Sequence, residues 1–293
     1  MRLARSRLDA HLHLWDPALG VYDWLTPDLG PLCAPFTAEQ AKAELSAAGI
    51  HGAVLVQAAD SVLDTAAMLD IAVGSDWVLG VVGWLDLEDS EGAHERVDEW
   101  ASSPHLCGVR QLIHDDSRAD VLDLPTVRAT LATLAAHGIP LDVPDAFPRQ
   151  LGGALAAAQQ VDDLVLVVDH LAKPPRDTEA MDAWERQLRE IAAHDSVVAK
   201  VSGLEIPDHE WSVQALRPVW EIALDSFGPQ RLMFGSNWPM SVTGSGYIGT
   251  LGVLGELISE LSPDEQDDVW WQTATRVYGL NPDERGPTPP GAA

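Results

Sequence analysis

The chain has 293 residues, 46% hydrophobic and 22% charged, enough apolar material for a large core and unlike a fibre or a disordered chain. Its 45 acidic residues outnumber 18 basic ones, and the formal net charge of −27 repels nucleic-acid phosphates and anionic membranes. Two cysteines, Cys33 and Cys107, make no disulfide framework and no zinc spacing, and no apolar run reaches the roughly 18 residues of a membrane helix.

The N-terminal Met-Arg-Leu-Ala-Arg-Ser-Arg runs into Leu-Asp-Ala-His without the apolar stretch of a secretory signal. With so few cysteines, this predicts a cytoplasmic protein. Short β-rich runs then recur at 7–14, 52–58, 78–85, 106–113, 139–143, 164–170, 197–202 and 231–236. Helical patterns lie between them. One covers 125–137 and is ended by Gly138; another covers 181–194 and carries Glu185 and Arg189 at i, i+4. Strands alternating with helices imply βαβ units and a parallel sheet, and eight units imply an α/β fold closed as a (β/α)8 TIM barrel. An open doubly wound sheet would carry a Gly-rich fingerprint after its first strand, where this chain has His-Leu-His-Leu-Trp. Residues 15–36, rich in Trp, Pro and Gly, read as a long loop. One barrel domain is expected over 1–281, with a loose tail over 282–293.

The candidate site residues fall at strand ends, where barrel enzymes keep their chemistry. Alternation along the first strand puts Asp9, His11 and His13 on the inward face. Two imidazoles there can bind one metal or one polar substrate group, or form a buried hydrogen-bonded pair. Val-Leu-Val-Val-Asp169-His170 ends the sixth run; if His170 faces in, Asp169 faces out toward the helices. Asn237 follows Gly235, which permits close backbone approach, and precedes Pro239, which stops the strand. Gln57, Arg110 and Lys200 are polar groups at strand ends, and Ser202 shares the face of Lys200. A cation inside a barrel is costly unless paired, so Arg110 and Lys200 either form internal ion pairs or meet an oxygen-rich substrate. Trp15, Trp84 and Trp238 can stack on a ring or exclude water, while Trp270 and Trp271 read as packing.

These stretches, taken in order, resemble the amidohydrolase superfamily (amidohydrolase 2 type, the metal-dependent-hydrolase form of the barrel). The likeness is to its lactonase-like branch, which includes sugar-acid lactonases of the fuconolactonase and rhamnonolactonase types. The matching stretches are Asp9–Asp16 with its HxHxW, Val54–Ala58, Gly80–Leu87, Gly108–Arg110, Val168–Pro174, Lys200–Leu204, Phe234–Pro239 and Tyr278–Leu280. The resemblance implies that His11, His13 and His170 bind a metal or polarise a substrate carbonyl. Asn237 stands where most of the family has Asp, the group that takes the proton of the attacking water. A neutral amide is neither a base nor an anionic ligand. Asp9, Asp86 and Asp142 are the carboxylates that could replace it, Asp142 foremost because a strand-5 group can face the histidines.

The expected activity is hydrolysis of a small lactone, with catalytic His11, His13, His170, Asn237 and Asp142. Trp15, Gln57, Trp84, Arg110, Lys200 and Trp238 are expected to contact the substrate. A divalent metal on His11, His13 and His170, zinc by the chemistry of three imidazoles, and a metal-free mechanism are both open. The alternatives are a non-oxidative decarboxylase, which would normally keep the strand-8 Asp, and a weakly catalytic binding protein that has lost its base. The expected partner is a small-molecule substrate, with self-association into a homo-oligomer also open.

Overall fold

All eight runs form strands: β1 (Leu8–Leu12), β2 (Gly52–Val56), β3 (Val78–Trp84), β4 (Leu106–Arg110), β5 (Leu141–Val143), β6 (Leu166–Val168), β7 (Val197–Val201) and β8 (Leu232–Phe234). They pair in parallel and in sequence order. Each is followed by a helix: α1 (Ala38–Ala48), α2 (Val62–Val73), α3 (Ser90–Trp100), α4 (Pro125–Ala136), α5 (Leu151–Gln160), α6 (Thr178–Ala192), α7 (Val213–Phe227) and α8 (Gly246–Ser259). This computed structural model describes residues 7–100, 103–206 and 208–280, so the tail expected over 282–293 lies outside the described residues. Among them, no helix is long and apolar enough to cross a membrane.

Local chemistry accounts for the helix limits. Thr37 and Gln40 close a capping box on α1. Pro125 opens α4, and Gly138 follows its end with φ +65°. On α6, Arg189 Nε donates to Glu185 at 2.8 Å, the expected i, i+4 pair. The long loop after β1 folds into two short 3-10 turns, Pro17–Leu19 and Pro27–Cys33, and is pinned at its ends by Trp15–Phe36 backbone bonds of 3.3 and 2.8 Å.

Side chains of alternating strand positions sort into two layers. Leu8, Ala10, Val54, Val82, Val167 and Met233 form a lumen cluster with Tyr278. Leu12, Leu55, Val81, Leu166 and Val168 join the larger layer packed under the helices.

The barrel closes where the exit of β8 meets β1. Asn237 N donates to His11 O at 2.8 Å and His13 N to Trp238 O at 2.7 Å. Asp9 ties this seam from the side: Oδ1 accepts from the backbone of Ser236 at 2.9 Å and of His11 at 3.1 Å, and Oδ2 from the Tyr247 hydroxyl of α8 at 2.9 Å. Asp9 therefore does not share the inward face of the histidines, as strict alternation would have it. The register between β1 and β2 shifts between Asp9 and Leu12, and that irregularity changes which side chains point inward.

Gly235 makes the closure possible: a Cβ there would lie 2.6 Å from His11 Cβ and 3.0 Å from Ser202 Cβ. Gly235→Ala should destabilise the fold by about 1–3 kcal/mol, the usual range for overpacking. Gly252→Ala, in α8 with nothing within 4 Å of an added Cβ, should stabilise by about 0.5–1 kcal/mol. Urea unfolding of both variants measures the contrast, and equal effects would deny the close approach.

Candidate functional site

The floor of the site is a buried chain of charges. Lys200 Nζ of β7 lies 2.5 Å from Asp142 Oδ2 of β5 and 3.1 Å from Asp169 Oδ1. Arg110 of β4 donates to Asp169 Oδ2 at 3.0 Å and, through its other terminal nitrogen, to the Gln57 carbonyl. The Tyr278 hydroxyl donates to both Asp142 oxygens at 2.9 Å. Lys200, Asp142 and Asp169 are sealed from solvent and Arg110 nearly so. Two cations and two anions leave the cluster neutral, which is what makes its burial tolerable. Burial pushes the Asp142 carboxyl up to about 6. Burial also acts to raise Asp169, but Lys200, His11 and Arg110 outweigh it and hold that carboxyl well below the usual range.

The histidines stand on this floor. His13 Nδ1 bonds to the Val56 carbonyl at 2.8 Å, which fixes its proton there and leaves Nε2 a lone pair. That atom faces His11 Nε2 at 3.1 Å. His11 Nδ1 in turn lies 3.2 Å from Lys200 Nζ and 3.3 Å from Asp169 Oδ1. Burial lowers His13 to about 3, His170 to about 4 and His11 well below the ordinary imidazole value. All three rings are therefore neutral at neutral pH, the form that can ligate a metal or accept a hydrogen bond.

His170 reaches the site by an unusual route. The chain leaves β6 through four consecutive left-handed residues, His170 to Lys173, with φ of 56°, 51°, 60° and 62°. This turn brings both Asp169 and His170 inward, which corrects the expectation that Asp169 faces the helices. The His170 ring lies tilted against that of His11, centroids 4.5 Å apart, and its Nδ1 bonds to Ser202 Oγ at 2.8 Å. Gly203, at φ +57°, leaves room for it: a Cβ there would lie 2.5 Å from Nδ1.

A pocket of about 220 Å³ opens above these rings, lined by His13, His170, Arg110, Asn237, Trp15 and Asp145 among others. It brings together five of the expected residues, His13, His170, Asn237, Arg110 and Trp15, while His11 is fully buried against His13 and His170 and does not line it. Others lie elsewhere. Lys200 and Asp142 are spent on each other beneath the histidines, so neither the expected substrate contact nor the expected base reaches the pocket. Gln57 is fully buried and donates to Asp60 and the Arg110 carbonyl. Trp238 is buried edge-on against Phe36, and Trp84 lies outside the pocket lining. Sequence reasoning passed over Asp145 and Trp24 as site residues. Asp145 had a signal, a charged residue two positions past the end of a barrel strand.

His11, Asp169 and His170 offer ligand atoms all within 4.8 Å of one another, enough to hold a metal ion. A family model described as amidohydrolase matches residues 8–280. An L-fucono-1,5-lactonase of Burkholderia multivorans is 34% identical over 94% of this chain and 96% of its own length. One from Burkholderia ambifaria is 32% identical with the same coverage. The crystal structure of an amidohydrolase from Burkholderia multivorans with bound zinc superposes with a TM-score of 0.85, at 32% identity over 94% of this chain and all of that one.

Two predictions follow from the charges. Lys200→Met leaves Asp142 and Asp169 buried without their shared cation and should cost about 3–5 kcal/mol of stability in urea unfolding. The histidines set a pH dependence. An imidazole whose folded pKa lies below the unfolded value binds its proton first in the unfolded chain, so stability is lost as pH falls from about 6.5 toward 4. The carboxyls that burial raises, Asp142 to about 6 and Asp9, Asp60 and Asp64 above their ordinary value, act in the opposite sense over part of that window, so the contribution of His13 is read from its own variant. His13→Gln should flatten the acid slope, and an unchanged slope would show that His13 is not held neutral.

Proposed function

The chain belongs to the amidohydrolase family of hydrolases, and on that premise we propose that it opens a sugar-acid lactone by attack of water on the ring carbonyl. The observation that carries this reading is the meeting of two neutral imidazoles, His13 and His170, and the Arg110 guanidinium at one pocket on the C-terminal mouth of the barrel, with His11 buried against both rings. The two lactonases among its relatives support the choice of a cyclic ester over other hydrolase substrates.

The chain's own groups supply most of what the reaction needs. Arg110 lines the pocket, its Nε has no hydrogen-bond partner among the described residues, and one terminal nitrogen lies 3.4 Å from His11 Nε2. A guanidinium fixed there by Asp169 stabilises the oxyanion that forms as water adds. His13 and His170 present polar edges to the same space. Trp15 and Trp24 wall it with aromatic surface suited to the apolar face of a sugar ring.

The donor set also fits a divalent ion. His11 and His13 point their Nε2 atoms together at 3.1 Å, close to what two ligands of one zinc require, and a carboxylate and a carbonyl hold their opposite nitrogens. His11, His13 and His170 would hold the ion, which when bound would polarise the carbonyl as a Lewis acid. Asn237 adds no negative charge, so an ion on the three imidazoles would rest on neutral ligands beside Arg110 and would bind weakly unless Asp169, which converges with His11 and His170, also reached it. Arg110 offers positive charge at the same place, and the reading stands with or without the ion.

Turnover on a panel of sugar-acid 1,5-lactones, followed with a pH indicator with zinc and with chelator, tests the proposal. At least one lactone should be opened, and His170→Ala and Arg110→Met should each lower kcat by about a hundredfold or more. Failure to open any of them under either condition overturns it. Asn237→Asp, which adds an anionic ligand, should raise the zinc retained through purification.

A further inference from the structure

Water attacking a lactone carbonyl must lose a proton, and neither residue expected from the sequence can take it. Asn237 is a neutral amide. Asp142 lies beneath the histidines with its oxygens bound by Lys200 and Tyr278. Asp169 is held by Arg110 and Lys200. Asp64 accepts from Tyr22 and the backbone of Ala58 and Ala59, and Asp60 from Gln57 and the backbone of Leu112.

We propose that Asp145, at the exit of β5, is the general base of this site. Among the described residues lining the pocket it is the sole carboxylate, and it shares that lining with His13, Arg110, His170 and Asn237. Its two oxygens are differentiated. Oδ2 lies 3.5 Å from Lys173 Nζ, while Oδ1 is buried and, among the described residues, no group hydrogen-bonds it. A buried carboxylate oxygen without a protein partner costs free energy unless a ligand or water meets it, and such atoms gather at catalytic positions. The backbone supports the assignment. Asp145 has a φ of +40°, a conformation uncommon outside glycine even though Asp adopts it more readily than most residues, two positions past the end of the strand.

The step balances within the pocket. Asp145 Oδ1 accepts one proton of water as the water oxygen bonds to the carbonyl carbon. The carbonyl π pair moves onto its oxygen, opposite Arg110. When that pair returns, the bond from carbon to the ring oxygen breaks. The leaving alkoxide takes the proton from Asp145, which restores the carboxylate.

The assignment rests on the lactonase reading, and the test keeps the two apart. Asn and Gly both tolerate a positive φ, so Asp145→Asn and Asp145→Gly preserve the local backbone. On a lactone that the unaltered protein opens, Asp145→Asn should lower kcat by about a hundredfold or more with KM within a few-fold. Asp145→Gly should regain turnover when sodium formate is added, because formate can stand where the carboxylate stood. A kcat within about threefold of the parent, or a raised KM with kcat unchanged, overturns the role of Asp145 and leaves the lactonase reading in place. Absence of formate rescue in a folded Asp145→Gly protein also overturns it. A parent protein that opens no lactone overturns both.

Discussion

The rest of the site depends on the neutral run of buried charges Asp142–Lys200–Asp169–Arg110. Each member comes from a different strand or strand exit, so the four can meet only if β4 to β7 hold their relative heights. Remove one member and the rest carry an uncompensated charge inside a sealed lumen, far from water. The network also reaches upward and downward. Upward, Lys200 and Asp169 fix the nitrogen of His11 that faces away from the pocket. Downward, Tyr278 connects Asp142 to the C-terminal segment beneath the barrel. Stability of the core and orientation of the reactive rings are thus one problem with one solution.

That coupling explains how a strongly acidic chain keeps neutral imidazoles. Its many carboxylates are chiefly on the surface, where solvent and salt screen them. Beside the histidines, Lys200 and Arg110 balance Asp142 and Asp169, and what the histidines experience is mainly the loss of water. Burial and not a neighbouring cation is the largest influence on each of the three rings.

The fold was legible in the sequence because its signals are local and repeated. Alternation of apolar runs with helical periods located every strand to within a few residues, and Gly235 marked the close approach at the seam. The histidines were legible too, since polar rings at strand exits are hard to place otherwise. What eluded sequence reasoning depends on backbone geometry at single points. A register shift in β1 turned Asp9 out of the lumen toward α8, and period-two alternation cannot anticipate it. Four left-handed residues without a glycine carried Asp169 inward, against the rule that successive strand residues face opposite ways. The partners of Lys200 lie 58 and 31 positions away in the chain, a pairing no spacing rule reveals. Asp145 stood next to a strand end but drew attention away to Asp142, which sits in the better-looking strand position.

The left-handed run His170 to Lys173 carries a consequence for how this protein can change. Each such residue costs about 1–2 kcal/mol against the right-handed alternative. The run is held only because its middle is clamped: Leu171 and Ala172 are fully buried, Trp184 donates to the Leu171 carbonyl at 2.8 Å, and Phe147 N donates to that of Ala172 at 3.1 Å. An insertion or deletion in this segment would release the clamp and return the chain to an ordinary strand exit, with His170 swung out of the site. The segment is therefore closed to drift in length, whatever its surface neighbours do. Divergence toward new substrates has an easier route in the loop after β1, whose Trp15 and Trp24 touch the pocket while residues 26–28 and 30–31 are exposed.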